Sequence, residues 1–336
     1  MKKPQQKLIK LKYNKQDMIK SKIIATGSYL PDKIVSNFDL TKIVDTTDEW
    51  IVERTGIKNR HLAKEGELTS DLAFHASKNA LTNANFDADK IELIIVATTT
   101  ADLTFPSCAT ILQKKLNAKN AFAFDVQAVC SGFVYALNIA DNFIKTKQVK
   151  NALVVGAETI SRIVDWQDRN TCVLFGDGAG AVIIEATEEK NSGILACKLS
   201  SDGTLCDILK TSDGISFSQK TGFINMQGKD VFKHAVDKMT QCVIDTLALA
   251  NLTIGDIDFL VPHQANLRIL NNVANKLKLD IHKVIITLQN HGNTSAASIP
   301  LALDFANNQK KFKTGDLIVL EALGGGLTWG SIALRW

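Results

Sequence analysis

The stretch Ala128-Val129-Cys130-Ser131-Gly132-Phe133 follows a short strand-like run, Ala121–Asp125, and precedes a segment with helical apolar spacing. A strand, a turn of small residues and a helix form the unit from which α/β sheets are built. Beyond residue 22, short β-branched runs alternate with longer segments whose apolar residues lie three or four positions apart. This alternation predicts an α/β fold with a largely parallel sheet that is buried on both faces.

The same pattern gives explicit element predictions. The clearest helix begins near Val231, from which apolar residues recur with helical spacing as far as Ala250. The predicted strands are Lys22–Thr26, Leu93–Thr98, Ala121–Asp125, Ala152–Val155, Ala181–Ile184, Phe259–Val261, Val284–Ile286 and Leu317–Glu321.

A weak internal repeat indicates a duplicated architecture. We predict a half spanning residues 22–190 and a second half spanning 191–336, which share one core because no flexible linker separates them. A basic arm, residues 1–21, precedes both halves, and we expect it to be disordered. The corresponding segments are Phe122–Gly132 with Val284–Ser298, and Phe175–Ile184 with Gly324–Leu334.

Composition excludes several classes of protein. With 45% hydrophobic and 22% charged residues, the 336-residue chain is too apolar for disorder and can bury a large core. Residues 1–22 contain eight Lys and one Asp, so the remaining 314 residues carry a net charge of −3. A mildly acidic globule with a basic arm is a poor nucleic-acid binder, and we expect no nucleic-acid partner. No apolar run is long enough to span a bilayer, so we expect no membrane association. Met18 is an alternative start to Met1.

Cysteine and glycine patterns bear on cofactors. The six cysteines include no CxxC pair, which argues against a metal site and a disulfide framework and favours a cytoplasmic location. The Gly-rich turns Gly176-Asp177-Gly178-Ala179-Gly180 and Gly324-Gly325-Gly326 both miss GxGxxG, and no GxxxxGK[ST] motif occurs. We therefore expect no dinucleotide or ATP cofactor, and we interpret these glycines as sites of close backbone approach.

Cys130 is the candidate nucleophile. A thiol at a helix N-terminus faces unpaired N–H groups and the positive end of the helix dipole, both of which favour the thiolate. The alternative is an inert buried cysteine, which is the interpretation we adopt for the other five.

His263 and Asn293 are the candidate partners of Cys130. His263 ends the strand Phe259–Val261, at the kind of position where α/β sheets assemble their sites. Asn293 follows the predicted strand Val284–Ile286 and precedes a helix. For His263 alone, the alternative interpretation is a solvated or hydrogen-bonded histidine. For Asn293 alone, it is a helix cap or a turn residue. Together with Cys130 they supply a nucleophile and two groups able to stabilise a thioester oxygen, without a metal.

At these residues the chain resembles the β-ketoacyl-acyl carrier protein synthase III family, the initiating synthases of dissociated fatty-acid synthesis. The resemblance runs from about residue 22 to the C-terminus. Its motifs, in order, are Glu49-Trp50-Ile51-Val52-Glu53-Arg54-Thr55-Gly56-Ile57, Ala128–Phe133, Gly176–Ala181, Val261–Arg268, Gly292–Ser298 and Gly324–Gly330.

The resemblance implies a thiolase-like fold in which two βαβ-rich halves form an αβαβα layered core. It also implies a catalytic triad of Cys130, His263 and Asn293 and a ping-pong decarboxylative condensation. An acyl-CoA would acylate Cys130, and malonyl-acyl carrier protein would then yield 3-oxoacyl-acyl carrier protein, CoA and CO2. The backbone N–H groups of Cys130 and Gly325 would form the oxyanion hole. CoA is a substrate in this reaction, so the family requires no cofactor.

The resemblance extends to binding sites and to a homodimer. It implies that Phe105 crosses the dimer interface to floor the partner's acyl pocket. Two departures from the family pattern are Lys229, where the family has Asn, and Asn275, where it often has Lys. The implied CoA-binding residues are Trp50, Arg54, Arg169, Gly228, Phe232 and Asn266, and the implied carrier-protein docking residues are Lys233, Gln264, Ala265, Asn266, Leu267 and Arg268, with Lys276 nearby. A core aromatic remains the alternative for Trp50 and a surface ion pair the alternative for Arg169.

Three other functions are left open by the residues. The chain order Cys, His, Asn also occurs in papain-like hydrolases, so a cysteine-dependent thioesterase or hydrolase is one alternative. A related secondary-metabolite ketosynthase with the same triad is a second. A non-catalytic scaffold that binds anionic surfaces through its Lys-rich arm is a third. The sequence does not specify the acyl-CoA primer, because acetyl, branched and longer chains all suit this fold.

Overall fold

A computed structural model describes residues 19–336. Most of the predicted basic arm therefore lies outside the described residues, although its last two residues, Lys20 and Ser21, belong to the first strand. The strands are β1 (Lys20–Tyr29), β2 (Lys33–Ser36), β3 (Asn59–Leu62), β4 (Leu93–Ala97), β5 (Phe122–Val126), β6 (Asn151–Glu158), β7 (Gly178–Thr187), β8 (Gly193–Ser201), β9 (Leu209–Thr211), β10 (Ile224–Met226), β11 (Phe259–Pro262), β12 (Leu317–Gly324) and β13 (Thr328–Arg335). The α-helices are α1 (Asn37–Leu40), α2 (Asp48–Thr55), α3 (Thr69–Ala84), α4 (Cys108–Leu116), α5 (Gly132–Lys145), α6 (Arg169–Cys172), α7 (Ile215–Ser218), α8 (Gly228–Leu249), α9 (Leu267–Leu277), α10 (Leu288–His291) and α11 (Ser298–Asn308).

Two larger sheets form the centre of the molecule. The first has five strands in the order β1-β7-β6-β4-β5, and the second has four in the order β11-β12-β13-β8. In the first sheet β4 runs parallel to both β5 and β6. In the second, β11 pairs in parallel with β12, so that Pro262 lies opposite Glu321. The carboxyl ends of β11 and β12 therefore lie at the same edge of that sheet.

The helices separate the sheets into five layers. Helices α3 and α4 cover the outer face of the first sheet, and α8 and α9 cover the outer face of the second. Helices α5 and α11 lie between the sheets and contact strands of both. Phe133 on α5 is fully buried in this central layer, and burial of a side chain that size contributes about 2 kcal/mol. The predicted αβαβα order is confirmed.

The predicted strand direction is wrong for much of both sheets. Strand β7 is antiparallel to β1 and to β6, and β13 is antiparallel to β12 and to β8. The continuous apolar runs that suggested parallel strands arise because helices cover both faces of each sheet. Burial on both faces requires apolar residues along a strand, but it does not determine whether the strand pairs in parallel or antiparallel with its neighbours.

The predicted strand Val284–Ile286 is also wrong, because only an isolated parallel bridge joins Val284 to Leu260. The Gln264 side chain replaces the missing strand pairing. Its Nε2 donates to the carbonyl oxygen of Ile285, 3.0 Å away, and its Oε1 accepts from the backbone N–H of Thr287 at 2.8 Å. Together with the bond from Ile285 N–H to the carbonyl oxygen of Leu260 at 2.9 Å, these bonds hold the segment in place without a strand.

Glycines in the Gly176–Gly180 motif allow close backbone approach, as predicted. A Cβ atom on Gly180 would lie 2.5 Å from the backbone N of Leu301 and 2.6 Å from the backbone C of Pro300. A Cβ on Gly176 would lie 2.8 Å from the carbonyl oxygen of His291. These glycines let β7 and its preceding turn contact α11 and the segment before it.

We predict that Gly180→Ala lowers the free energy of unfolding by about 2 kcal/mol, because the added methyl group overlaps the backbone of α11. Gly203→Ala is the matched control, since no atom lies within 4 Å of its Cβ position. Urea denaturation followed by circular dichroism measures both variants. Equal stability of the two would contradict the steric account.

Candidate active site

Cys130 lies where the first sheet meets the central helix layer. The chain leaves β5, forms a short 3-10 turn over Val129–Ser131, and enters α5 at Gly132. The end of β12 packs behind this turn, where a Cβ on Gly324 would lie 2.7 Å from the Cys130 backbone N. The predicted location at a helix N-terminus is confirmed.

The expectation of a stable thiolate does not hold for this structure. Cys130 is 6% exposed, and burial raises its pKa to about 12. The Ser295 side chain lowers the pKa and the nearby Glu158 carboxyl raises it, but both effects are smaller than that of burial. Desolvation disfavours the charged form more than the helix N-terminus favours it. The resting side chain is therefore a thiol.

His263 follows β11, and a hydrogen bond to Ser298 holds its Nδ1. Its Nδ1 lies 2.7 Å from Ser298 Oγ, and Ser298 Oγ accepts from the backbone N–H of Gln264 at 3.3 Å. With the Ser298 hydroxyl as the donor to Nδ1, the proton of the neutral imidazole lies on Nε2, and we infer this tautomer because it leaves an N–H for the cavity. Burial lowers the pKa of His263 to about 3, so the ring stays neutral at physiological pH.

Asn293 is held by main-chain bonds to the turn that precedes β7. Its N–H donates to the carbonyl oxygen of Leu174 at 2.8 Å, and its own carbonyl oxygen accepts from Gly176 N–H at 3.0 Å. Its Oδ1 accepts from the backbone N–H of Ser295 at 2.9 Å, as the turn interpretation predicted. That bond occupies the acceptor end of the carboxamide and leaves the Nδ2 group as the free donor.

One cavity of about 720 Å³ brings the three candidates together. Cys130, His263 and Asn293 all line it, as does Gly325 of the last Gly-rich turn. The cavity thus combines one nucleophile with two neutral hydrogen-bond donors, the Nε2–H of His263 and the Nδ2–H of Asn293. Paired donors of this kind stabilise an oxygen that gains negative charge during reaction.

Cations and an aromatic ring line one end of this cavity. The guanidinium carbon of Arg54 lies 4.6 Å from the Trp50 ring centroid, and that of Arg169 lies 4.9 Å from it. Trp50 and Arg54 line the cavity, but Arg169 does not. Arg169 donates to the carbonyl oxygen of Asp45 at 2.8 Å and forms an ion pair with the Asp45 carboxylate at 3.9 Å, as the ion-pair alternative predicted. Trp50 is only partly buried, which disfavours the core-aromatic alternative.

The remaining predicted CoA residues lie along the cavity wall. Gly228, Phe232 and Asn266 all line it, and so does Lys229. Asn266 caps α9 by accepting from the Arg268 N–H at 2.8 Å, and its Nδ2 donates to the carbonyl oxygen of Arg54 at 3.0 Å. Asn266 therefore ties the His263 segment to the Trp50–Arg54 helix.

The predicted docking residues differ in accessibility. Lys233 and Arg268 are exposed, and neither has an ion-pair partner among residues 19–336. Ala265 and Leu267 are partly buried. The Gln264 side chain is buried and hydrogen-bonded internally, so it does not face the surface.

Lys276 and Phe105, the other residues expected at partner surfaces, differ in their surroundings. Lys276, expected beside the docking residues, forms an ion pair with Asp237 at 2.5 Å, which reduces its availability to a partner. Phe105, expected at a dimer interface, is 83% exposed in the single chain.

The sequence analysis assigned no role to Ser298 or Glu158, and it placed Gln264 on the docking surface instead of in the interior. Ser298 and Gln264 orient the His263 region, and Glu158 is a fully buried carboxyl next to Cys130. Glu158 could have been found in the sequence, because it directly follows the apolar run Ala152–Ala157 and a charged residue at the end of a buried strand is unusual.

Within residues 19–336, no group of three or more His, Cys, Asp or Glu side chains is arranged to hold a metal ion. Among the same residues, every helix is too short or too polar to traverse a bilayer.

Two family models match this chain. The model for 3-oxoacyl-[acyl-carrier-protein] synthase III matches residues 124–203, and the model for its C-terminal part matches residues 247–336. Together they cover half of the chain and include the three candidate residues.

Individual relatives match over nearly the whole chain. The β-ketoacyl-[acyl-carrier-protein] synthase III of Wolbachia pipientis wMel is 59% identical over 320 residues, and that of Ehrlichia canis is 57% identical over 318. Both alignments cover 95% of this chain and 100% of the relative. The crystal structure of 3-oxoacyl-[acyl-carrier-protein] synthase III from Aquifex aeolicus superposes with a TM-score of 0.90. It is 49% identical and is matched over 94% of this chain and 100% of its own.

We predict that His263 remains neutral and protonated on Nε2 from pH 8 to pH 5, because burial lowers its pKa to about 3. Long-range ¹H–¹⁵N NMR of the imidazole nitrogens measures both the tautomer and the charge. Ser298→Ala removes the group that fixes Nδ1 as acceptor, so this variant is expected to show a mixture of tautomers. A wild-type titration midpoint near pH 6.5 would contradict the prediction.

Proposed function

This chain belongs to the β-ketoacyl-[acyl-carrier-protein] synthase III family of condensing acyltransferases, which initiate fatty-acid biosynthesis, and we propose how its own residues perform that reaction. The proposal is a ping-pong condensation of an acyl-CoA with malonyl-acyl carrier protein through an acyl-Cys130 intermediate. One observation carries it: a thiol and two neutral hydrogen-bond donors line the same cavity. The nucleophile comes from the proposed half 22–190, and the donors from the proposed half 191–336.

In the proposed first half-reaction, the Cys130 sulfur attacks the thioester carbon of an acyl-CoA. The backbone N–H groups of Cys130 and Gly325 stabilise the tetrahedral oxyanion, and CoA leaves. The closeness of the two turns supports this role, because the chain just before Gly325 packs directly against the Cys130 amide.

In the proposed second half-reaction, malonyl-acyl carrier protein occupies the site vacated by CoA. His263 Nε2–H and Asn293 Nδ2–H donate to its thioester oxygen and stabilise the enolate that forms as CO2 leaves. The enolate carbon then attacks the acyl-Cys130 thioester, and the C–S bond breaks as the new C–C bond forms. The neutral state of His263 supports this role, because a donor near an enolate requires no change of charge.

The proposed CoA site uses the end of the cavity lined by Trp50. The adenine stacks on the Trp50 ring beside Arg169, and Arg54 meets the phosphates. Pantetheine then follows the wall formed by Gly228, Phe232 and Asn266 toward Cys130. The position of Lys229 on this wall supports a further charged contact at the point where the family has Asn.

The proposed partner surface is basic. An acidic carrier protein docks on the exposed charges of Lys233 and Arg268, with Ala265 and Leu267 contributing apolar contact. The buried Gln264 contributes by holding the backbone of this surface rather than by direct contact. A homodimer is proposed at the surface that carries Phe105, and the 83% exposure of this aromatic side chain supports it.

We propose that the reaction uses no cofactor beyond its CoA substrate. The Cys130 thioester and the two donors account for acyl transfer and enolate stabilisation without redox or Lewis-acid chemistry. We also propose a cytoplasmic location, which the six free cysteines support.

We predict that Cys130→Ala abolishes acyl transfer, whereas His263→Ala and Asn293→Ala retain acylation and lose decarboxylation by about 10²-fold or more. The difference is expected because only the second half-reaction needs donors for the malonyl thioester oxygen. Intact-mass measurement with acyl-CoA alone reports acylation, and CO2 release from malonyl-acyl carrier protein reports decarboxylation. Cys206→Ala, which removes an exposed thiol, is the control and should behave as wild type. Equal loss of acylation in all three active-site variants would contradict the assigned roles.

We predict that Trp50→Ala raises the KM for acyl-CoA by about tenfold, because stacking of a base on an aromatic ring contributes about 1–3 kcal/mol. Trp50→Phe should recover most of this loss. Acyl-pantetheine, which lacks the adenine, is the matched control substrate, and its KM should not change. An equal rise in KM for both substrates would indicate that Trp50 shapes the cavity instead of binding adenine.

A further inference from the structure

Glu158 is a fully buried carboxyl at the end of β6 that none of the steps above uses. Its Oε2 accepts from the backbone N–H groups of Thr99 at 3.1 Å and Thr100 at 3.2 Å, and from the Thr100 hydroxyl at 2.5 Å. Its Oε1 accepts from the Ser295 hydroxyl at 3.1 Å. Burial nevertheless raises the pKa of Glu158 to about 7, so the group is able to exchange a proton near neutral pH.

Ser295 connects this carboxyl to the cavity. It lines the cavity with Cys130, its hydroxyl donates to Glu158 Oε1 at 3.1 Å, and its side chain lowers the pKa of Cys130. Its backbone has a φ of +49°, which is unusual for a residue other than glycine, and its N–H is held by Asn293 Oδ1. Strained backbone of this kind persists where the surrounding structure fixes it, and it is concentrated at functional sites.

The chemistry of acylation requires an acceptor for the Cys130 proton. The thiol is un-ionised at rest, and burial lowers the pKa of His263 to about 3, which makes that ring a poor proton acceptor. The other charged side chains that line the cavity are Arg54, Lys210, Lys229 and Arg268, all of which are cations. The titratable groups beside Glu158 are the thiols of Cys130 and Cys108, and burial raises the pKa of both.

We propose that Glu158 accepts the Cys130 proton through the Ser295 hydroxyl during acylation and returns it after condensation. This relay rests on the proposed function, because it serves the acyl-Cys130 intermediate. Geometry carries the assignment: the Ser295 hydroxyl donates to Glu158 Oε1 at 3.1 Å, and Ser295 lines the same cavity as Cys130.

The proton balance closes over one cycle. As the Cys130 S–H bond breaks, Ser295 Oγ takes that proton and passes its own to Glu158, while Cys130 sulfur bonds to the acyl carbon. CoA leaves as a thiolate with the electrons of the broken C–S bond and takes a proton from solvent. After the enolate carbon attacks acyl-Cys130, the sulfur leaves as a thiolate. Glu158 then protonates this thiolate through Ser295, which restores the starting state.

The test is the pH profile of Cys130 acylation, measured without malonyl-acyl carrier protein by rapid quench and intact mass from pH 5.5 to 9. The probe is acetyl-CoA, with a butyryl and a branched-chain CoA run alongside it. The wild-type rate should rise with pH and level off above about pH 7, where Glu158 is ionised. In Glu158→Gln the rate at pH 7 should fall by about 10²-fold, and it should keep rising to pH 9. Ser295→Ala should show the same change of profile while keeping the carboxyl.

Glu321→Gln is the matched control, since Glu321 is also fully buried and burial raises its pKa to about 8. It should retain the wild-type profile.

The relay is overturned if Glu158→Gln and Ser295→Ala keep the wild-type rate, or if they lose rate uniformly while still levelling off near pH 7. A changed profile in Glu321→Gln would also overturn it, because any buried carboxyl would then have the effect. If circular dichroism shows that Glu158→Gln does not fold, the pH profile of Ser295→Ala alone tests the relay. Failure of wild-type protein to form any adduct would instead overturn the proposed function, and the relay with it.

Discussion

The close contact between the end of β12 and the Cys130 turn determines the geometry of the site. The contact is possible because Gly324 has no side chain, so the two backbones approach to a distance that a Cβ would prevent. Strand β11 lies parallel to β12, and its carboxyl end therefore delivers His263 to the same edge of the sheet. Asn293 reaches that edge through its main-chain bonds to Leu174 and Gly176. Packing between backbones, more than any ion pair, assembles the three side chains.

The same packing sets the electrostatics. Burial raises the pKa of Cys130 and lowers that of His263, so both side chains are neutral in the resting protein. A site built from neutral donors avoids the desolvation cost of a buried ion pair. It also creates a requirement, because a buried thiol needs a nearby acceptor before it can act as a nucleophile. The buried Glu158 carboxyl is proposed as that acceptor, because the Ser295 hydroxyl hydrogen-bonds to it.

Sequence patterns singled out Cys130 and His263 because each follows a strand, whereas the strand predicted before Asn293 does not form and Asn293 instead follows α10. The patterns also predicted seven of the eight proposed strands, and the family resemblance implied the layer order. Strand direction was not predictable, since burial on both faces gives the same apolar run in either direction. Strand β8 was missed because its partly exposed residues alternate weakly. Val284–Ile286 was misassigned because the Gln264 side chain takes over its hydrogen bonds. The protonation states depend on burial that no local motif encodes.

The most direct measurement follows one labelled acyl group through the cycle. Protein acylated on Cys130 with a ¹⁴C-acyl-CoA is freed of CoA and mixed with malonyl-acyl carrier protein in a single turnover. The account predicts that the label moves to 3-oxoacyl-acyl carrier protein, with one CO2 released per acyl group transferred. Release of the label as a free carboxylic acid, with no CO2, would contradict the account and indicate a cysteine-dependent hydrolase.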